Sequence, residues 1–216
     1  MQSVIERMSA FGVIPVVRID DAANAVPLAK ALADGGLPCA EITFRTAAAE
    51  EAIRQIAANV PDFMIIAGTV LTPAQADAAI AAGAVGLVSP GFNPAVVRHC
   101  LDKGYPIAPG VCTPSEVEQA MAMGLTYLKF FPAEAAGGVA MIKAMAAPYG
   151  AVKFMPTGGV SLANLPGYLA CKAVFACGGS FMVPPDKINN GEFDEITRIT
   201  RDAVALVKAA REGGKN

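Results

Sequence analysis

The chain has no tryptophan, one histidine and only five cysteines among 216 residues, and these shortages exclude several kinds of chemistry at the outset. With His99 alone, the histidine clusters that hold a catalytic zinc are missing, which removes most hydrolytic mechanisms and metal-dependent carbon–carbon cleavage. Cys39, Cys100, Cys112, Cys171 and Cys177 contain no CxxC pair. An odd, scattered set makes a poor disulfide framework, so they are expected as small core residues. Charged residues make up 17% of the chain, the net charge is −2, and no basic block is present. Nucleic-acid and membrane-surface binding therefore lack an electrostatic footprint, although a small anion can still be held locally. No uncharged apolar run approaches the roughly 18 residues of a membrane helix. The start, with Glu6 and Arg7 ahead of Phe11 to Val17, shows no cleavage site. The expected location is the cytoplasm.

What the chain does have is 54% hydrophobic residues and 21 glycines, a balance that suits buried strands and tight turns. No boundary divides it, so residues 1–216 read as a single domain. Three segments share one plan: Thr72-Pro73 to Gly83, Asn93-Pro94 to Gly104, and Thr113-Pro114 to Gly124. Each opens with a capping residue and a proline suited to the first helical position, and closes on a glycine suited to a helix stop. An apolar run follows each: Ala84 to Ser89, Tyr105 to Ala108, and Leu125 to Phe131. The repeat of about twenty residues is a minimal βα unit, in which buried parallel strands appear as continuous apolar runs. Further strands are expected at Val13 to Arg18, Cys39 to Phe44, Phe63 to Ala67, Val152 to Met155 and Val174 to Cys177, eight in all.

That pattern predicts an α/β fold, a (β/α)8 TIM barrel near the lower size limit, with an extra N-terminal helix over Ser3 to Ala10 covering its bottom. A final amphipathic helix is expected over about Asp194 to Ala210. The rival doubly wound sheet more often carries a glycine-rich loop after its first strand, and Val13 to Asp20 has none.

Lys129 stands inside the strand-like run Leu125 to Pro132. Burial disfavours the charged form of a lysine, and a free amine can attack a carbonyl carbon to form a Schiff base. The alternative is a lysine on an edge or one that snorkels to water. Lys153 also lies in a strand, but near its start, and reads as the snorkelling type. In a barrel the site lies at strand C-termini, and the period of two puts Glu41, Thr43 and Arg45 on one face. Facing the mouth, Glu41 is a candidate general base and Arg45 a fork for a carboxylate. Facing the helices, the two would form a structural ion pair. Gly68-Thr69-Val70 offers a hydroxyl and backbone donors, or a plain turn. Pro156-Thr157-Gly158-Gly159 and Gly178-Gly179-Ser180 follow the last two expected strands, where barrels bind phosphate through backbone amides, though glycine pairs also serve as ordinary turns.

Taken in order along nearly the whole chain, EITFRT, GTVLTP, SPGFNP, PGVCTPSE, LKFFPAE, MPTGGV and ACGGS resemble the 2-keto-3-deoxy-6-phosphogluconate (KDPG) aldolase family, which includes 4-hydroxy-2-oxoglutarate (KHG) aldolases. LKFFPAE and PTGG are the specific elements; GT and PG alone would not be. The resemblance implies a class I aldolase, usually a homotrimer, that cleaves a small 2-oxo acid to pyruvate and an aldehyde without a metal or organic cofactor. It implies Lys129 as the Schiff-base lysine and Glu41 as the proton carrier. Arg45 and Thr69 look like the receivers of the carboxylate, and Thr157, Gly158, Gly159, Gly179 and Ser180 like the phosphate end, with Phe131 and Pro90 walling the pocket. Phe181 stands where the family often has tryptophan, and Cys112 and Arg18 occupy positions that vary within it. The rivals are an isomerase or epimerase on the same barrel, working without a covalent amine, and a non-catalytic scaffold. Which of the two oxo acids is preferred is not written in these motifs.

Overall fold

A computed structural model of the protein describes residues 3–213. Its strands are β1 (Val13–Val17), β2 (Cys39–Thr43), β3 (Met64–Gly68), β4 (Gly86–Val88), β5 (Ile107–Ala108), β6 (Gly110–Val111), β7 (Tyr127–Phe130), β8 (Lys153–Pro156) and β9 (Cys177–Gly179). The helices are α1 (Val4–Phe11), α2 (Ala25–Asp34), α3 (Ala49–Asn59), α4 (Pro73–Ala82), α5 (Pro94–Asp102), α6 (Pro114–Ala122), α7 (Gly138–Ala146), α8 (Leu165–Leu169), α9 (Pro185–Asn189) and α10 (Phe193–Gly213). The three helices expected from the repeat begin on their caps. Thr72 accepts from the Gln75 amide at 3.2 Å, Asn93 from Ala95 at 3.0 Å, and Thr113 from Glu116 at 3.4 Å, each one residue ahead of a proline. At their far ends Gly83, Gly104 and Gly124 all take positive φ, the left-handed stop that glycine adopts without a Cβ penalty.

Among the described residues every paired strand is parallel, in a sheet ordered β5-β4-β3-β2-β1-β9 and a second ordered β6-β7-β8. β1, β2 and β3 are buried along their whole length. Such burial is expected of parallel strands covered on both faces, and it explains why they lack polar alternation. The two sheets touch at both margins: β5 runs through Pro109 into β6, and bridges Phe154↔Val174 and Thr157↔Gly178 join the β8 side to β9. The result is an α/β fold around a curled parallel sheet.

Two strands differ from the sequence expectation. The one placed at Tyr105 to Ala108 starts at Ile107 and resumes at Gly110–Val111, because Pro109 has no amide to give a ladder. Gly110 is needed there: a Cβ would collide with the Pro90 carbonyl. The last strand, placed at Val174 to Cys177, lies at Cys177–Gly179, so the glycine pair is inside the strand rather than beyond it. Gly178 aligns with Ile14, and a Cβ on it would strike the Thr157 hydroxyl. At the strand starts α1 crosses the sheet, with Val4 Cγ1 at 2.9 Å from where a Cβ on Gly86 would stand.

Candidate active site

β2 carries Glu41 and β7 carries Lys129, and these strands are neighbours in neither sheet. Their side chains nevertheless meet: Lys129 Nζ donates to Glu41 Oε1 at 3.0 Å and lies 3.4 Å from Oε2. A contact between non-adjacent strands must cross the space the sheet curls around, so both side chains point inward. Glu41 is 0% exposed and Lys129 3%, which overturns the snorkelling alternative for this lysine. Desolvating two ions costs several kcal/mol each, and only close pairing offsets it. The same hydrogen bond is a path along which a proton can pass between nitrogen and carboxylate.

The local chain explains the geometry. Gly68 aligns with Thr43 on β2, and a Cβ on it would drive into the Glu41 carboxylate, 2.6 Å from Cγ and 2.7 Å from Cδ. Glycine at that point leaves the carboxylate its room. Lys129 is anchored by its amide, which donates to the Pro109 carbonyl at 2.9 Å, and its Nζ stands 5.7 Å from the Phe131 ring centre.

Two residues further along the chain, Thr43 at the end of β2 and Phe131 just past β7 line a cavity of about 310 Å³. Arg45, Thr157, Gly158, Gly159, Gly179 and Ser180 line it too; Thr69 does not, nor do Lys129 and Glu41, which lie two residues back along the chain from Phe131 and Thr43. Arg45 does not pair with Glu41; it is exposed, and its Nε donates to Thr69 Oγ1 at 3.3 Å. Thr69 holds φ at 57°, a left-handed backbone that costs a β-branched residue about 1–3 kcal/mol and gathers at functional sites. Gly158 and Gly159 have φ of 97° and 82°, available cheaply only to glycine. Pro90 lines no part of this cavity; its carbonyl backs Gly110, the residue aligned with Lys129.

The Thr157 hydroxyl is buried at the cavity wall without a hydrogen-bond partner among the described residues. An orphaned buried donor costs about 1–3 kcal/mol, which a bound polar group would recover. Thr43, by contrast, gives its hydroxyl to the Val17 carbonyl at 2.7 Å and is a structural tie. Lys153 opens β8 at the opposite end from the cavity, half-buried, with Nζ donating to the Lys172 carbonyl at 3.0 Å.

Arg18 and Gly178 line the cavity as well, and sequence reading missed Val16, Val160, Val183 and Pro185, which complete its wall. Val16 could have been found from the period of two with Arg18; the others follow turns whose course leaves no local signal. A more apolar cavity of about 220 Å³ lies under α1 at the strand starts, and no acid, amine or thiol lines it. No group of three His, Cys, Asp or Glu side chains converges as a metal site among the described residues. Nor is any helix there long and apolar enough to cross a membrane.

Comparison with known proteins adds an independent line. A family model for KDPG and KHG aldolase matches residues 4–199. A 2-dehydro-3-deoxy-phosphogluconate aldolase of Treponema pallidum (strain Nichols) is 49% identical over 207 residues, covering 96% of this chain and 99% of its own. A KHG/KDPG aldolase of Escherichia coli (strain K12) is 45% identical over 196 residues, covering 91% and 92%. The crystal structure of a KDPG aldolase from Legionella pneumophila, with pyruvate captured at low pH as a covalent carbinolamine intermediate, superposes with a TM-score of 0.89 at 38% identity, covering 93% of this chain and 97% of that one.

Proposed function

Because the chain belongs to the KDPG and KHG aldolase family, we propose that Lys129 and Glu41 are its catalytic pair, cleaving 2-keto-3-deoxy-6-phosphogluconate to pyruvate and glyceraldehyde 3-phosphate. The protein is a class I, Schiff-base aldolase, a carbon–carbon lyase. The observation that carries the assignment of residues is the inward contact of a buried amine with a buried carboxylate beneath a glycine-lined cavity.

Lys129 Nζ, having passed its proton to Glu41, attacks C2 of the oxo acid. Protonated Glu41 returns its proton to the carbinolamine hydroxyl, which leaves as water, and the resulting protonated imine draws electrons from the neighbouring carbon. Glu41, ionised again, takes the proton of the C4 hydroxyl as the C3–C4 bond breaks. The bonding pair moves into an enamine of pyruvate, and the aldehyde leaves. A proton returned to C3 and a water added at C2 release pyruvate and restore the amine. Every proton has a named carrier within this chain or in solvent.

Arg45, oriented by Thr69, receives the carboxylate next to C2, and its planar fork fixes the angle of attack. Gly158, Gly159, Gly179 and Ser180 receive the phosphate, and Thr157 offers its unpartnered hydroxyl to the substrate chain. Phe131 walls the site, while Pro90 stands behind it and backs Gly110, the residue aligned with Lys129. 4-Hydroxy-2-oxoglutarate, cleaved to pyruvate and glyoxylate, is the second substrate; the E. coli relative named for both acids supports it.

We read the two sheets as one closed (β/α)8 barrel, β5 and β6 being halves of a single strand, with α1 as an extra helix across its bottom. Residues 1–216 then form one aldolase domain, and we propose that it works as a homotrimer, as the family resemblance implies, and in the cytoplasm. Measuring pyruvate release from both oxo acids tests the function. Wild type should cleave the phosphorylated acid faster and Lys129→Ala neither, whereas a wild type that releases no pyruvate from either overturns it.

A further inference from the structure

Glu134 does not itself line the catalytic cavity, yet it is tied to the turn that forms the anion end. After β7 the chain bends back so that the Ala133 amide donates to the Thr157 carbonyl at 2.8 Å and the Glu134 amide to the Gly158 carbonyl at 3.0 Å. The Glu134 side chain lies across Gly159: a Cβ there would stand 2.5 Å from Cγ and 2.6 Å from Cβ of Glu134. Its carboxylate Oε1 then accepts a hydrogen bond from the hydroxyl of Tyr168 on α8. Tyr168 is wholly buried, and burial together with the Glu134 bond pushes its hydroxyl well above the ordinary tyrosine range, so it remains a donor. Gly138 is the third side of the clasp, with a hypothetical Cβ 3.1 Å from Glu134 Oε1 and 3.2 Å from the Tyr168 oxygen. From the far side Asn164 donates to the Gly159 carbonyl at 2.9 Å.

This is more machinery than a surface turn requires. A carboxylate on an otherwise exposed residue reaches into the fold for a buried hydroxyl, and the segment between the two ends presses on the glycine whose backbone lines the cavity. We propose that Glu134 and Tyr168 form a positioning clamp that sets the Gly158–Gly159 turn, and so govern how strongly the enzyme prefers phosphorylated over neutral aldehydes. Neither is a catalytic residue; both act through backbone they hold. The inference rests on the reading of this turn as the phosphate end.

The test runs the reaction in the condensation direction, with pyruvate and either glyceraldehyde 3-phosphate or glyceraldehyde, which differ only in the anion. Tyr168→Phe keeps the ring and deletes the donor. It should lower the ratio of kcat/KM between the two aldehydes about five- to tenfold, the effect of one lost hydrogen bond, through a raised KM for the phosphorylated one. Kcat with glyceraldehyde, and borohydride trapping of pyruvate, should stay at wild-type levels. Glu134→Ala should behave alike, while Glu134→Gln, whose amide oxygen still accepts from Tyr168, should restore most of the ratio. A wild-type ratio in Tyr168→Phe and Glu134→Ala, or equal losses with both aldehydes, overturns the clamp and leaves a purely structural contact. A wild-type enzyme that shows no preference for the phosphorylated aldehyde overturns the phosphate-end reading itself, and the clamp with it.

Discussion

Replacing Gly68 with alanine adds one methyl group to β3, and the structure says where it goes. The new carbon would stand 2.6 Å from Glu41 Cγ and 2.7 Å from Cδ, with the carboxylate oxygen closer still. Gly68 does not hold a positive φ, so the strand itself tolerates alanine and the perturbation is steric. Restoring ordinary contact at about 3.4 Å requires the nearer carboxylate oxygen to retreat by about 1.2 Å. It has little room to do so, because Glu41 is wholly buried. The 3.0 Å bond to Lys129 Nζ is the contact that gives way.

A catalytic group displaced by about 1 Å costs on the order of 100-fold in rate, and overpacking a core costs about 1–3 kcal/mol of stability. Kcat for cleavage of the phosphorylated oxo acid, followed by a coupled assay for pyruvate, should therefore fall about 100-fold in Gly68→Ala. Borohydride trapping of pyruvate should fall less, because the enamine's carbon–carbon step leans most on the base. A variant with wild-type kcat and an unchanged melting temperature would show that Glu41 is not confined as described, and the reasoning from Gly68 would be refuted.

Glu41→Gln keeps the volume and removes the carboxylate. Cleavage should drop about 10²–10⁴-fold, with imine formation hit less severely, and equal mild losses in both steps would reduce Glu41 to a structural partner. Burial holds the thiols of Cys39 and Cys177 far above the normal range and pushes Cys100 up to about 11, while Cys171 is also buried. Iodoacetamide on the native enzyme at mildly alkaline pH should label Cys112 alone, the one cysteine that is not buried; peptide mass mapping checks this. Thr113→Ala deletes a capping box in which Thr113 accepts from the Glu116 amide and Glu116 accepts from the Thr113 amide at 2.9 Å. Calorimetry should record a loss of about 1 kcal/mol, a shift of roughly 2–4 °C, with kcat unchanged.

Much of this was legible in the residues. Proline behind Thr72, Asn93 and Thr113, with a glycine about three turns later, marks three helices by local chemistry alone. Glu41 and Lys129 stood out because each is a charge in an apolar strand. That they are each other's partner was not legible, since 88 positions separate them and only the curl of the sheet brings them together. The break in the strand follows from Pro109 itself, but the shift of the last strand to Cys177–Gly179 depends on Thr157 filling space that glycine leaves, a matter of tertiary fit. Glu134 carries no local signal either: it is an exposed acid in a turn until Tyr168 is placed beside it.

The central claim is that one amine, on Lys129, forms the covalent bond to the oxo acid. Incubating the wild-type enzyme with pyruvate and borohydride, then mapping the adduct by peptide mass spectrometry, addresses it directly. The account requires a single irreversible addition on the peptide containing Lys129, absent from Lys129→Ala; an adduct on Lys153, or trapping that persists without Lys129, would contradict it.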